Sequence, residues 1–171
     1  MQGRDGSPFA IKSIPTAANR VYEGMSDMTR QHSTETLHAT SVAIGGRAVL
    51  LSGPSGAGKS DLGLRLIDRG ATLISDDYTV VKWVDGRLEA TAPETITGMM
   101  EVRGLGVVDM PRVDFARIAL IVDLCNDIDR MPADPEMRSV AGGDVPVVRL
   151  AAFEASAPIK VELALKTIGL A

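Results

Sequence analysis

A chain of 171 residues holds one domain of ordinary size, with a core large enough to stand without disulfides or metal staples. An apolar fraction of 45% and a charged fraction of 23% exclude a disordered or fibrous chain, and a net charge of −4 gives no support for nucleic acid or an anionic membrane as partner. No apolar stretch reaches the ~20 residues of a membrane-spanning helix and the first residues lack the apolar core of a secretory signal, so a cytoplasmic protein is expected.

Residues 1–31 are rich in Gly, Ser, Thr, Pro and Arg and show no period of 2 or 3.6. They are expected to form a flexible N-terminal segment, with Met25 and Met28 as alternative starts, ahead of a folded domain over residues 32–171. Leu37 to Ile44 and Arg47 to Leu51 read as two strands joined by Gly45-Gly46. Asp61 to Arg69 places Leu62, Leu66 and Ile67 on one helical face and ends at Gly70, a natural left-handed cap. Ala71 to Ser75 is a short strand running into Asp76-Asp77. Thr79 to Trp83 and Arg87 to Thr91 flank Asp85-Gly86, a hairpin signal. Ile118 to Leu124, apolar but for Asp123, is a run of strand length, expected at the centre of a sheet. Cys125 at its end is the single cysteine, which excludes an internal disulfide and reads as a buried structural thiol. Val145 to Leu150 is a further strand, and Pro158 to Lys166 a closing amphipathic helix with proline in its first turn. Strands and helices do not alternate steadily, so the expected class is mixed α/β with several hairpins and not a plain doubly wound sheet.

Gly53-Pro54-Ser55-Gly56-Ala57-Gly58-Lys59-Ser60 matches G-x-x-x-x-G-K-[ST] at every fixed position, with an apolar strand entering and a helix leaving. Glycines let successive amides converge on phosphate oxygens, and the helix N-terminus adds positive dipole. Lys59 offers a mobile charge to the β- and γ-phosphates, and the Ser60 hydroxyl can coordinate Mg²⁺. A Gly/Ser-rich turn that matches by chance is the bland alternative, and the strand-loop-helix context argues against it. The segment points to an ATP-dependent phosphotransferase. A guanine-specific protein is disfavoured, because the nearest match to its Asn-Lys-x-Asp base reader is Asn126-Asp127-Ile128-Asp129, without the lysine.

Asp76-Asp77 ends the strand that follows the phosphate-loop helix, an order that can bring two carboxylates near the γ-phosphate, one to accept a proton and one near the metal. By itself such a pair is usually a solvated turn. Met100 to Asp109 alone reads as a bulged strand with a turn, and His38 alone as a strand-end histidine.

Taken together, these residues resemble the bacterial HPr kinase/phosphorylase family in its C-terminal catalytic domain. The resemblance runs from His38 to about Lys166, and its most specific piece is Met100 to Asp109. The remainder is spacing: His38 stands 15 residues before Gly53, and Asp77 stands 17 after Ser60, with Asp129-Arg130 downstream. The resemblance implies that Lys59 and the loop amides hold ATP while Ser60 and Glu101 hold Mg²⁺. It makes Asp77 the general base toward the target serine and the acid in the reverse direction. His38 is implied as a positioner near Asp77, and Arg130 as a cation for the transferring phosphoryl group. It further implies a phosphate-loop kinase fold related to phosphoenolpyruvate carboxykinase, an HPr-like phosphocarrier of the phosphotransferase system as substrate, and a hexameric homo-oligomer.

Two departures shape the expectations. Only a short polar segment precedes His38, so a catalytic-domain-only form is expected. Where the family carries a Pro-Gly-Arg segment tied to dephosphorylation, this sequence is read as Ala157-Pro158-Ile159-Lys160, which predicts a competent kinase and a weak phosphorylase. A small-molecule kinase would carry a lid with several arginines, and here only Arg112, Arg117, Arg130 and Arg138 are scattered. A non-catalytic ATP sensor needs neither Asp77 nor Glu101.

Overall fold

The turn at Gly45-Gly46 reverses the chain between β2 (Ala39–Ile44) and β3 (Arg47–Ser52), paired antiparallel from Ala39 opposite Ser52 to Ile44 opposite Arg47. Both glycines have positive φ, 57° and 80°, as a two-residue I′ turn requires. The computed structural model describes residues 33–132 and 134–171, so the segment expected over residues 1–31 lies outside the described residues.

The sheet is organised around β9 (Phe115–Leu124). One edge of β9 runs parallel to β3. The other edge is shared: β6 (Arg87–Thr91) pairs antiparallel with its first residues, and β11 (Gly143–Leu150) pairs parallel with its last. Beyond β3 lie β2 and then β4 (Thr72–Ser75); beyond β6 lie β5 (Thr79–Val84) and then β1 (Thr34–Leu37). β10 (Glu136–Val140) pairs with β11. A strand paired on both edges and covered on both faces favours apolar residues, which accounts for the run Ile118–Val122, while Asp123 near its end accepts from Arg138 of β10 at 2.9 Å.

Strand alternation divides the core. Val49, Leu51 and Val122 face Leu62 and Leu66 of α1 (Lys59–Asp68) and Val161 and Leu165 of α2 (Ala157–Thr167). Leu50 and Ile121 point the other way, to Ile74, Val81, Leu88 and Val147 of the curled sheet. Among the described residues, no helix is long and apolar enough to cross a membrane.

Differences from the sequence expectations have local causes. Helix α1 begins at Lys59, two residues earlier than expected, because Gly58 at φ 93° turns the phosphate loop directly into it. It closes as expected at Gly70, φ 104°, with Gly70 N–H donating to Ile67 O and Ala71 N–H to Leu66 O. Met100 to Asp109 is not a bulged strand but most of a hairpin, β7 (Met99–Val102) with β8 (Gly106–Asp109), standing as its own two-stranded sheet. Positive φ at Gly104 and Gly106, 89° and 95°, makes that reversal possible. The first strand of the domain divides at His38: β1 pairs with β5, whereas β2 pairs with β3 and β4. Strands β1 and β10 are too polar to show an apolar period and form by pairing with distant partners.

Candidate active site

The phosphate loop spans the gap between Ser52, which ends β3, and Lys59, which starts α1. Close neighbours fix its shape. A methyl group at Gly58 would lie 2.8 Å from Ala152 Cβ, and one at Gly53 only 3.1 Å from the Leu124 carbonyl oxygen. Lys59 is buried, and its ammonium donates to the carbonyls of Gly53 (2.8 Å) and Pro54 (3.1 Å). The cation thus sits in the crook of its own loop. Gly63 lets α1 approach β2, since a methyl there would stand 3.0 Å from Thr40 Cγ2.

Asp76 joins three elements. Its Oδ1 accepts from the Ser60 hydroxyl of α1 (2.7 Å) and the Thr40 hydroxyl of β2 (2.8 Å), and its Oδ2 accepts from the Glu101 N–H of β7 (3.2 Å). The carboxylate is buried, and these donors stand in for water. Sequence reasoning left its role open and passed over Thr40. The available signal was an acid ending the strand that follows the phosphate-loop helix.

Asp77 is built differently. Its φ is +67°, rare for a residue with a side chain, and Tyr78 N–H donates to the Asp76 carbonyl at 2.8 Å. These are the marks of the strained, positive-φ γ-turn. Surrounding bonds hold it: Ser75 Oγ donates to the Tyr78 carbonyl, and Thr79 Oγ1 donates to the Ala39 carbonyl at 2.8 Å. β4 pairs with β2 and β5 pairs with β1, so this turn lies beside the break at His38. There His38 Nε2 stands 2.7 Å from Asp77 Oδ1, and the Tyr78 ring lies 5.3 Å from the imidazole, centre to centre. An ionised Asp77 accepts from Nε2–H, which fixes the imidazole tautomer.

These groups share one cleft of about 670 Å³, lined by His38, Ser55, Gly56, Gly58, Lys59, Ser60, Asp76, Asp77 and Glu101, with Arg103 and Phe153 completing its walls. Arg103, from the β7–β8 turn, is a cation that the sequence reading did not single out. Arg130 is exposed on the loop after β9 and does not line the cleft. Cys125 is half-buried rather than buried, because it lies just past the end of β9. Lys160 lies within α2, where the expected helix Pro158 to Lys166 puts it, ion-paired to Glu154 and outside the cleft lining, and the residue from this region that reaches the cleft is Phe153.

Among the described residues, no three His, Cys, Asp or Glu side chains form a metal cage. The hard oxygens at the cleft include those of Ser60, Asp76 and Glu101. That set suits Mg²⁺, which takes one or two protein ligands and completes its shell with phosphate and water.

The model of the HPr serine kinase C-terminal domain matches residues 30–160. The chain belongs to this family. Among curated relatives, the HPr kinase/phosphorylase of Clostridium tetani is 36% identical over 126 residues, covering 67% of this chain and 41% of the relative. That of Clostridium beijerinckii is 36% identical over 121 residues, covering 64% and 40%. The chain therefore spans about two fifths of the length of these relatives. In structure it resembles the HPr(Ser) kinase/phosphatase of Coxiella burnetii with a TM-score of 0.69 and 25% identity, covering 77% of this chain and 88% of that one. The curled mixed sheet carrying a phosphate loop is thus the family's phosphate-loop kinase fold, as the resemblance implied, and the mixed α/β class with hairpins is the one read from the strand pattern.

Proposed function

We propose that this chain is the catalytic unit of an ATP- and Mg²⁺-dependent serine kinase acting on an HPr-like phosphocarrier protein. The observation that carries the reading is the convergence, in one cleft, of Lys59 in its phosphate loop, the Ser60–Asp76 bond and the Asp77–His38 pair. The names of the relatives supply the substrate class.

In this reading the loop amides and Lys59 hold the polyphosphate, with Lys59 exchanging its contacts to Gly53 and Pro54 for phosphate oxygens. Ser60 and Glu101 would hold Mg²⁺, which would neutralise charge on the phosphates, and Asp76 orients the Ser60 hydroxyl. Asp77 takes the proton of the target serine as the serine oxygen bonds to the γ-phosphorus and the bond to the bridging oxygen breaks, leaving ADP. His38 keeps that carboxylate aimed. In reverse, inorganic phosphate attacks the phosphoserine phosphorus, pyrophosphate forms, and Asp77 returns the proton to the departing serine oxygen. Arg103 balances charge on the transferring phosphoryl group from within the cleft, the part the family resemblance gave to Arg130, which does not line it.

The test is incubation with γ-labelled ATP, Mg²⁺ and an HPr-like phosphocarrier. Label on a serine of the phosphocarrier supports the reading. Label on a small molecule, or nucleotide binding without transfer, overturns it.

A further inference from the structure

Phe153 is 70% exposed although the backbone on either side of it is anchored. Ala152 before it is buried in the helical core, and the Arg65 guanidinium of α1 donates to both neighbouring carbonyls, to Ala152 O and, at 3.2 Å, to Glu154 O. Arg65 is itself fixed by Asp61, one turn back, with Nε donating to Oδ2 at 3.0 Å. The ring edge leans on the phosphate loop: a methyl group at Gly58 would lie 3.0 Å from Phe153 Cζ. A loop held this firmly, presenting an aromatic face to the cleft, is a platform.

We infer that Phe153 is the nucleobase-stacking residue of the site and that Arg65 is its positioning residue. The inference rests on the nucleotide reading above. A triphosphate seated on the loop amides carries its base beyond them, and among the described residues, apart from His38, tied to Asp77, Phe153 is the aromatic ring lining the cleft. Stacking takes any base, because every base has a π-face. With no Asn-Lys-x-Asp base reader in the sequence, the site therefore accepts adenine and guanine alike.

The test is calorimetric titration of the whole chain, in Mg²⁺, with ATP, GTP and inorganic tripolyphosphate. ATP and GTP bind with similar affinity, and Phe153→Ala weakens both by about 10-fold, within the range for losing one base stack, while tripolyphosphate affinity is unchanged. Phe153→Tyr retains native nucleotide affinity. Arg65→Ala weakens ATP but not tripolyphosphate. The inference is overturned if Phe153→Ala binds ATP as the native chain does, or if it weakens ATP and tripolyphosphate equally, which would mark Phe153 as a brace for the loop. A native chain that binds tripolyphosphate but not ATP more tightly also overturns the inference and leaves the phosphate loop standing. A native chain that binds neither ligand overturns the nucleotide reading as well.

Discussion

Asp76 Oδ1 accepts the Ser60 hydroxyl at 2.7 Å, so the first turn of α1 and the end of β4 are fastened at one buried oxygen. The bond aims the hydroxyl proposed to hold Mg²⁺. Replacing Asp76 by Asn keeps the shape and one acceptor for Ser60 and Thr40, but removes the charge and turns an amide toward the Glu101 N–H. Asp76→Asn should raise the Mg²⁺ concentration for half-maximal phosphotransfer by about 10-fold or more, as loss of a partner behind a metal ligand does. Titrating activity with Mg²⁺ measures this, and an unchanged midpoint would remove Asp76 from the metal site.

Asp77 pays for its aim with backbone strain, and that makes stability and activity separable. Asp77→Gly relieves a φ of +67° at a cost of one exposed contact to His38. The relief is on the order of 1 kcal/mol for an L-residue in left-handed backbone. The variant should melt no lower than the native chain while losing phosphotransfer. A clear fall in melting temperature would show that the His38–Asp77 contact holds the fold rather than the chemistry.

Lys160 lies in α2 and pairs with Glu154, away from the cleft. Lys160→Arg should therefore leave the ratio of phosphorolysis to phosphorylation unchanged. A shift toward phosphorolysis would show that the side chain takes part in the reaction after all.

The two helices are clamped by Arg69 and Glu162, with Arg69 Nε and Nη2 donating to the two carboxylate oxygens at 2.8 and 2.7 Å. This side-chain hydrogen bond, aided by the guanidinium charge, holds the Glu162 carboxyl below its usual range. A carboxyl depressed in the folded state stabilises above its unfolded value, near 4.5, and loses that contribution as pH falls through the lower folded value. Arg69→Met should thus be less stable than native in urea at neutral pH, with the gap narrowing below pH about 4. An equal gap at both pH values would assign the loss to packing.

Much of this was legible in local sequence. The phosphate loop, the Gly-Gly and Asp-Gly hairpins and the apolar strand Ile118–Leu124 each carry their signal within a few residues. The break at His38 was not, because its cause is a change of pairing partner from β5 to β3 and β4. Asp76 was noticed as half of an acidic pair, but its three donors, Thr40 among them, were not legible for a related reason: a buried acid shows its role only through the donors that the fold brings to it. Phe153 carried no signal in the sequence: the helix after it was legible to within a residue, but that its ring meets the phosphate loop depends on how the fold brings that segment against α1.

The central claim is that Asp77 is the base for serine phosphorylation in this cleft. Its most direct measurement is transfer of label from γ-labelled ATP to a serine of an HPr-like phosphocarrier, by the native chain and by Asp77→Asn, with ATP affinity measured on both. Native protein should label the serine, and Asp77→Asn should do so at least ~10²-fold more slowly, as for loss of a general base, with ATP affinity unchanged. Transfer by Asp77→Asn at near-native rate, or no serine labelling by a native chain that binds ATP, would contradict the account.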